Sequence, residues 1–406
     1  MLYNAYEVQR RWLEGASHLA NMSSEWLSSP ANPLSYSSMG PVAAAGLEVF
    51  AHASAPRGKP EFGLKTTQVD GREVVVREEI VLRKPFGQLK RFVREGVTDG
   101  APRLLIVAPM SGHYATLLRG TVERMLPGHD VYITDWRDAK LAPLSDGKFD
   151  LDDYIDYLIE FLGAIGPGAH MLAVCQPSVP ALAAVALMNS DKHPATPRTL
   201  TMMGGPVDTR EAPTSVNTLA TERPHSWFQR NVVATVPNQY PGGGRKVYPG
   251  FLQLAGFMTM NLGSHLESHW GMFKHLVVGD DDSADATQSF YEEYRSVCDM
   301  TAEFYLQTID VVFQSHALPR GEMLHRGRRV DVGAITKTAL LAVEGERDDI
   351  SGLGQTKAAL ALAPKLPKAD RKYFMAEGAG HYGIFNGSKW RDTIAPVVED
   401  WIASHD

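Results

Sequence analysis

The sequence predicts an α/β protein: a mostly parallel, doubly wound sheet interrupted by one large, mainly helical insertion. Short apolar runs alternate with helical spacings between residues 104 and 203, which is the pattern of parallel strands joined by helices. The alternation stops at Gly204-Gly205-Pro206 and resumes with apolar runs at 339–343 and 373–375. The 406 residues are therefore divided into four predicted parts: an N-terminal segment (1–70), a first core part (71–205), a cap (206–335) and a second core part (336–406).

Composition excludes several classes of protein. The chain is 44% hydrophobic and 21% charged with a net charge of −7, which is typical of a globular protein and argues against nucleic acid as the main partner. Its two cysteines, Cys175 and Cys298, do not form a disulfide framework, so a reducing compartment is expected. The N-terminus lacks a secretory signal pattern, and the sequence lacks a run of 18 apolar residues. We therefore expect an intracellular protein without a membrane span.

The first predicted element is a helix within residues 1–28. Its apolar residues recur at helical spacing: Trp12, Ala16, Leu19, Met22 and Trp26. The simpler interpretation is that this stripe packs on its own domain; the alternative is that it lies on an external apolar surface. Residues 28–60 are rich in Ser, Pro, Ala and Gly and predict a loose connection with one short helix.

The core elements follow in order. From Arg72 the apolar period is two, and Pro85-Phe86-Gly87 separates two runs that form an antiparallel pair. The next strands are predicted at 104–108, 131–134, 171–174 and 200–203, with helices around 117–126, 154–162 and 178–189. In the insertion, helical spacing dominates from Phe290 to Phe313. The last helix is predicted to begin at Ser388 and to bury Ile394, Val397, Val398, Trp401 and Ile402.

A candidate nucleophile follows the strand at 171–174. Cys175 sits where strand, sharp turn and small-residue helix form a nucleophile elbow, with Ala173 and Pro177 at the positions that must be small. The competing nucleophile, Ser178, fits better as the start of the helix. Cys298, in a predicted cap helix, is interpreted as structural.

A cysteine nucleophile needs a base, and the base needs an orienting carboxylate. In this type of sheet the chain order is nucleophile, acid, histidine. Asp348 follows the strand at 339–343, and the glycine-flanked His381 follows the strand at 373–375. Asp348 is preferred to its neighbour Asp349, which is expected to cap a turn or the following helix.

The oxyanion of such a reaction needs backbone N–H donors. Gln176, directly after the nucleophile, is one predicted donor. The second comes from the loop after the first parallel strand, with Met110 preferred and Ser111 second. His113 and Ser111 are expected to line the pocket; the alternative is a catalytic role for either. No cluster has metal-ligand spacing and no glycine-rich phosphate loop follows a strand, so no cofactor is predicted.

At this point the sequence resembles the intracellular poly(3-hydroxybutyrate) (PHB) depolymerases. The resemblance extends through most of the chain, and the Cys175-Gln176-Pro177 box is its most specific element. The stretches that carry it are 104–114, 132–137, 174–177, 343–355 and 378–387. It implies an α/β-hydrolase fold and a Cys-Asp-His triad, here Cys175, Asp348 and His381, that attacks ester bonds of a polyester stored in granules.

This resemblance implies a cytoplasmic, granule-associated hydrolase that acts on PHB or its oligomers. Three alternatives stay open: thiolysis by coenzyme A, a synthase-like acyltransferase, and a non-catalytic granule protein. Polyhydroxyalkanoate synthases carry glycines where this chain has Ala173 and Pro177, which makes them the weaker match. Part of the aromatic and Met-rich cap surface is expected to adsorb to the granule, with the N-terminal helix as a possible addition; its stretches are Trp227-Phe228, Tyr248–Met260 and Trp270–Phe273. The oligomeric state stays open, and a homo-oligomer is one possibility.

Overall fold

A nine-stranded sheet forms the centre of the chain. The computed structural model describes residues 2–37, 39–55, 58–97, 100–260, 293 and 295–406, without the side chains of 257–260. The strands of the sheet are β1 (Thr66–Val69), β2 (Arg72–Lys84), β3 (Gly87–Arg94), β4 (Arg103–Val107), β5 (Asp130–Trp136), β6 (His170–Val174), β7 (Thr199–Met203), β8 (Ala339–Gly345) and β9 (Arg371–Ala376). Their order is β1-β2-β3-β5-β4-β6-β7-β8-β9, antiparallel as far as β5 and parallel from there on. The predicted mostly parallel sheet is confirmed.

Burial distinguishes the two halves of this sheet. Strands β5 to β8 are covered on both faces and β4 on all but its first residue, as expected for parallel strands made of continuous apolar runs. The long hairpin strand β2 is mostly exposed. Strand β1 extends the sheet into the segment that the sequence assigned to the N-terminal part.

The N-terminal segment folds into two helices, α1 (Leu2–Ser28) and α2 (Gly40–Ser54). The predicted first helix is present, but its apolar stripe does not pack on the protein. The buried residues of α1 are Tyr3, Glu7, Ser17, Ala20 and Ser24. The packing interpretation of the stripe was therefore wrong. Helix α2 spans 15 residues, longer than the short helix expected, because alanines at 43–45 favour helix strongly.

Helices α3 (Arg119–Met125), α4 (Leu151–Ile165) and α5 (Ser178–Ser190) connect the first parallel strands. The path from β4 to β5 moves along the sheet in the opposite direction to the paths from β5 to β6 and from β6 to β7. Because such crossovers are right-handed, α3 lies on one face of the sheet and α4 and α5 on the other. The sheet is therefore doubly wound, and the reversal occurs at β4.

The cap contains helices α6 (Ser215–Glu222), α7 (His225–Asn231), α8 (Gly250–Met260) and α9 (Ala302–Thr308), which continues as a π-helical turn at Ile309–Gln314. It also contains a small sheet of Ala234–Thr235, Lys246–Tyr248 and Met300–Thr301. The helical run predicted from Phe290 to Phe313 is interrupted: Glu293 and Arg295 are helical, but residues 296–301 are not, and the helix resumes at Ala302. The interruption arises because Val297 pairs with His113 and the Cys298 N–H donates to Gly112 O at 2.7 Å. Phe290 and Trp270–Phe273 lie outside the described residues.

The C-terminal part adds α10 (Ala358–Leu362) and α11 (Ala395–Ala403). The final helical stretch begins at Gly387 rather than Ser388, because Asn386 is the N-cap and its Oδ1 accepts the Gly387 N–H at 2.8 Å. The predicted core face is buried at Ile394, Val398, Trp401 and Ile402, with Val397 partly buried. None of the helices described has the length and apolar character that crossing a membrane requires.

Candidate active site

Five loops meet at the carboxyl edge of the parallel strands, which is where ligands bind in α/β sheets. They follow β4, β6, β7, β8 and β9. They surround a cavity of about 430 Å³ whose described lining includes Met110, Cys175, Gln176 and His381. The residues that the sequence predicted at separate strand ends therefore share one cavity.

The turn after β6 holds Cys175 in a strained backbone conformation. Its φ of 66° is in the left-handed region, which is rare for a residue with a Cβ and recurs at functional sites. Its N–H donates to Met203 O at 2.7 Å, and its carbonyl accepts the Ser178 N–H at 3.0 Å. Ser178 starts α5 and is fully buried, so of these two side chains only that of Cys175 reaches the cavity.

A glycine on the neighbouring strand end makes this turn possible. A Cβ added to Gly205 would lie 2.0 Å from Ser178 Oγ and 3.0 Å from Cys175 O. The close approach at the elbow thus depends on Gly205 as well as on the small residues Ala173 and Pro177. Sequence reasoning treated Gly205 only as the end of the alternation; a glycine pair directly after a buried strand is the signal that marks it.

His381 and Asp348 form a buried hydrogen-bonded pair. His381 Nδ1 lies 2.8 Å from Asp348 Oδ2, and the two side chains are 5% and 0% exposed. Asp348 Oδ1 accepts the N–H groups of Ile350 and Ser351 at 2.9 and 2.8 Å. These contacts fix the carboxylate and leave Oδ2 for the imidazole. Asp349 is exposed.

The imidazole of His381 is also hydrogen-bonded to the side chain of Cys175. Burial disfavours the charged imidazole, but the negative charges of Cys175 and Asp348 outweigh burial and raise the pKa of His381 well above its usual range. The arrangement thus favours the protonated imidazole of His381 beside Cys175. The stability drawn from it is complete below the ordinary histidine pKa and is lost as the pH rises through the raised value.

This pairing predicts a spectroscopic change. Cys175→Ala removes the negative charge beside the ring while burial remains, so the pKa of His381 should fall relative to the unchanged protein. NMR titration of the His381 Cε1–H signal measures this directly, with Cys298→Ala as the matched control. An unchanged midpoint in Cys175→Ala would contradict the ion pair.

A buried glutamate, which sequence reasoning missed, fastens the loop that carries Asp348. Glu344, at the end of β8, accepts the N–H groups of Gly354, Thr356 and Lys357 at 2.8–2.9 Å. It also accepts the Tyr373 hydroxyl proton at 2.8 Å. These four hydrogen bonds compensate the free-energy cost of burying the Glu344 carboxylate. The sequence signal is an acidic residue closing an otherwise apolar strand.

The N–H group of Met110, one predicted oxyanion donor, is hydrogen-bonded to the side chain of Gln176, the other predicted residue. The Met110 N–H donates to Gln176 Oε1 at 3.2 Å, while Gln176 Nε2 is buried without a hydrogen-bond partner among the described residues. The side-chain oxygen of Gln176 therefore lies where an oxyanion bound to the Met110 N–H is predicted to lie. Ser111 lines the same cavity. The contact of the Gln176 side chain was not predicted from the sequence.

The cap supplies most of the remaining wall. Apolar side chains from α6, α7, α9 and the π-helical turn face the cavity, among them Leu219, Phe228, Phe304 and Phe313. The arrangement suits an uncharged, largely apolar ligand. The cap aromatics named in the sequence analysis are, where described, not exposed: Phe228 is buried, and Trp227 and Tyr248 are partly buried.

Cys298 and His113 support the loop after β4. His113 pairs with Val297 and lines the cavity, and Cys298 Sγ lies 3.7 Å from His113 O. Burial, followed by the charges of Asp138 and Asp299, raises the pKa of the Cys298 thiol well above its usual range. Cys298 is therefore a poor thiolate and joins cap to core. In the described chain, no group of three His, Cys, Asp or Glu side chains could hold a metal ion.

Gly204 gives a further test of the geometry. Its φ is +59°, and a Cβ there would lie 3.2 Å from Asp348 Oδ2 and 3.3 Å from His381 Cε1. We expect Gly204→Ala to lower the turnover rate of any triad-dependent reaction about tenfold or more, because it displaces this pair. Gly63→Ala is the matched control, since Gly63 has φ +64° and no neighbour within 4 Å of an added Cβ. Equal activity of both variants would contradict the role of this contact.

Three features define an α/β-hydrolase fold: the strand order, the strained turn after β6 and the buried acid–histidine pair. A family model described as "PHB de-polymerase C-terminus" matches residues 204–406, which is half of the chain. The chain therefore belongs to the PHB depolymerase C-terminal family. No curated protein matches the chain in sequence.

Solved structures with similar folds include hydrolases. A thermophilic esterase from Thermogutta terrifontis is 13% identical with a TM-score of 0.42, and covers 84% of this chain and 98% of its own. A monoacylglycerol lipase from Paleococcus ferrophilus is 12% identical with a TM-score of 0.42, and covers 76% of this chain and 97% of its own. The assignment of fold rests on the strand order given above.

Proposed function

We propose that the chain is a cytoplasmic, granule-associated PHB depolymerase that hydrolyses ester bonds of poly(3-hydroxybutyrate) and its oligomers with Cys175 as nucleophile. The observation that carries the proposal is the strained Cys175 beside the buried His381–Asp348 pair at the floor of an apolar cavity. Membership of the family supports a polyester as the substrate.

In the first half-reaction, the Cys175 thiolate attacks an ester carbonyl carbon, and the carbonyl oxygen becomes an oxyanion. The N–H groups of Met110 and Gln176 hold that oxyanion, which replaces the Gln176 carboxamide at Met110. The carbon–oxygen bond then breaks, and the His381 imidazolium gives its proton to the leaving alkoxide. The shortened chain departs as an alcohol and the acyl group stays on Cys175 as a thioester.

In the second half-reaction, neutral His381 takes a proton from water, and the hydroxide formed attacks the thioester. Collapse of the second oxyanion releases the 3-hydroxybutyrate acid and restores the thiolate–imidazolium pair. Asp348 orients the imidazole and stabilises its charged form.

A comparison of acyl acceptors tests this function. Purified protein is incubated with a soluble 3-hydroxybutyrate trimer and with amorphous granules, each with and without coenzyme A, and products are identified by mass spectrometry. We expect free acids to be released at the same rate with and without coenzyme A. Release that requires coenzyme A would indicate thiolysis instead. Growth of polymer from 3-hydroxybutyryl-CoA, without trimer cleavage, would identify a synthase and reject the proposal.

A further inference from the structure

The N-terminal helix α1 has an inverted distribution of polarity. Its protein-facing residues are small or polar, including Glu7, Ser17 and Ser24. Its solvent-facing stripe consists of Val8, Trp12, Leu19, Met22 and Trp26, each 61–70% exposed. Large apolar side chains in a contiguous exposed set mark an interaction surface, because their exposure to water is unfavourable.

The hairpin formed with α2 has the same character. Ser17 Oγ donates to Ala51 O at 2.8 Å and Ser24 Oγ donates to Ala44 O at 2.9 Å, so hydroxyl groups are satisfied between the two helices. The outer residues Val42 and Phe50 of α2 are 44% exposed. A helix pair that packs through small residues and hydroxyl groups and leaves its large apolar side chains outside is suited to contact with an apolar medium.

Two features connect this hairpin to the active-site cavity. Tyr6 stacks on Phe251 of α8 at 3.9 Å between ring centroids, and the Tyr3 hydroxyl donates to Asp299 at 2.6 Å. Gln253 and Gly256, on the same helix α8, line the cavity. The exposed stripe therefore begins next to an element of the cavity wall.

Charge and shape decide between the surfaces that could cover the stripe. Helix α1 carries two arginines and three glutamates, which does not suit the negative surface of a membrane rich in anionic lipid. In a coiled coil with a second copy, the spacing 8-12-15-19-22-26 would place Gly15 at a core position, where it packs nothing and weakens the helix. Binding to a neutral, water-insoluble polyester requires neither positive charge on the helix nor an unbroken row of apolar coiled-coil core residues.

We propose that the outer face of the α1–α2 hairpin is the docking surface for solid, uncharged polyester, with the Val8–Trp26 stripe as its principal contact. This inference rests on the proposed function for the identity of the polymer. It assigns adsorption to the N-terminal hairpin and cleavage to the cavity. The cap aromatics expected to adsorb the granule are, in the described chain, buried or partly buried in the cap.

The test separates adsorption from cleavage. Trp12, Leu19, Met22 and Trp26 are replaced together by Ser. The control replaces Leu144 and Leu324, which are 56% and 55% exposed outside the hairpin, by Ser. Co-sedimentation with amorphous PHB granules, in the Cys175→Ala background, should show at least tenfold weaker binding for the stripe variant and unchanged binding for the control. With Cys175 present, cleavage of the soluble trimer should stay within twofold of the unchanged protein while granule cleavage falls with binding.

Other outcomes would overturn the docking surface. Unchanged granule binding by the stripe variant would reject it. Equally tight, stripe-dependent binding to phosphatidylcholine vesicles would identify lipid as the occupant. A dimer in sedimentation velocity that becomes a monomer in the stripe variant would identify a second copy. Failure of the trimer assay in the unchanged protein would reject the proposed function, while the granule-binding result would still decide the docking proposal.

Discussion

Cys175→Ala is expected to lower ester hydrolysis by roughly 10⁴-fold or more, because it removes the nucleophilic side chain that is hydrogen-bonded to His381. The substitution removes one sulfur atom from a partly buried side chain and leaves the backbone bonds of the turn in place. The fold should therefore persist, which circular dichroism and the thermal midpoint measure alongside initial rates on the soluble trimer.

Cys298→Ala is the matched control for this experiment. Cys298 is buried, its thiol pKa is raised, and it does not line the cavity. Activity should remain within a few-fold, and iodoacetamide should label Cys175 alone in the native protein. Comparable activity of Cys175→Ala and Cys298→Ala would remove the nucleophile from the mechanism and leave the strained turn without a chemical role.

Cys175→Ser should also lose most activity, although its side chain is of similar size. A hydroxyl is a far weaker acid than a thiol, so the imidazolium that stabilises a thiolate does not stabilise an alkoxide. In the serine variant His381 would have to act as a base from the start, with its pKa lowered by the loss of the thiolate. A serine variant of normal activity would show that the site does not depend on an ion pair.

The sequence predicted the succession of core strands along the chain and the strand ends that carry the site residues, because both depend on local patterns. Buried parallel strands are continuous apolar runs, and polar or glycine-rich residues that interrupt them mark the loops at the sheet edge. Cys175, Asp348 and His381 each follow such a run. The structure brings these three side chains together, since parallel strands end at one edge.

What the sequence could not predict depends on contacts between distant segments. The spacing of Trp12 and Trp26 predicts a helix, but periodicity does not tell which face meets the protein. Gly205 matters because of Ser178 on another strand end, and Glu344 because of backbone groups ten or more residues away. Residues 296–299 are not helical because Val297 and Cys298 pair with the loop after β4. Each of these outcomes is decided by tertiary packing rather than by local propensity.

The last prediction separates the two neighbouring aspartates. Asp348→Asn should lower the turnover rate by about 10³-fold or more, whereas Asp349→Asn, on an exposed side chain, should stay within about threefold. In the asparagine variant the amide oxygen is expected to keep the N–H groups of Ile350 and Ser351, which turns the NH₂ group towards His381 Nδ1. That donor holds the imidazole in the tautomer with its proton on the nitrogen facing Cys175, so it cannot accept a proton there, and it no longer raises the pKa of His381. In Asp348→Asn only, the alkaline limb of the pH–rate profile for trimer hydrolysis should therefore shift to lower pH. A larger loss at Asp349, or equal losses at both, would show that Asp349 is the orienting acid and that the buried 2.8 Å contact of Asp348 is structural.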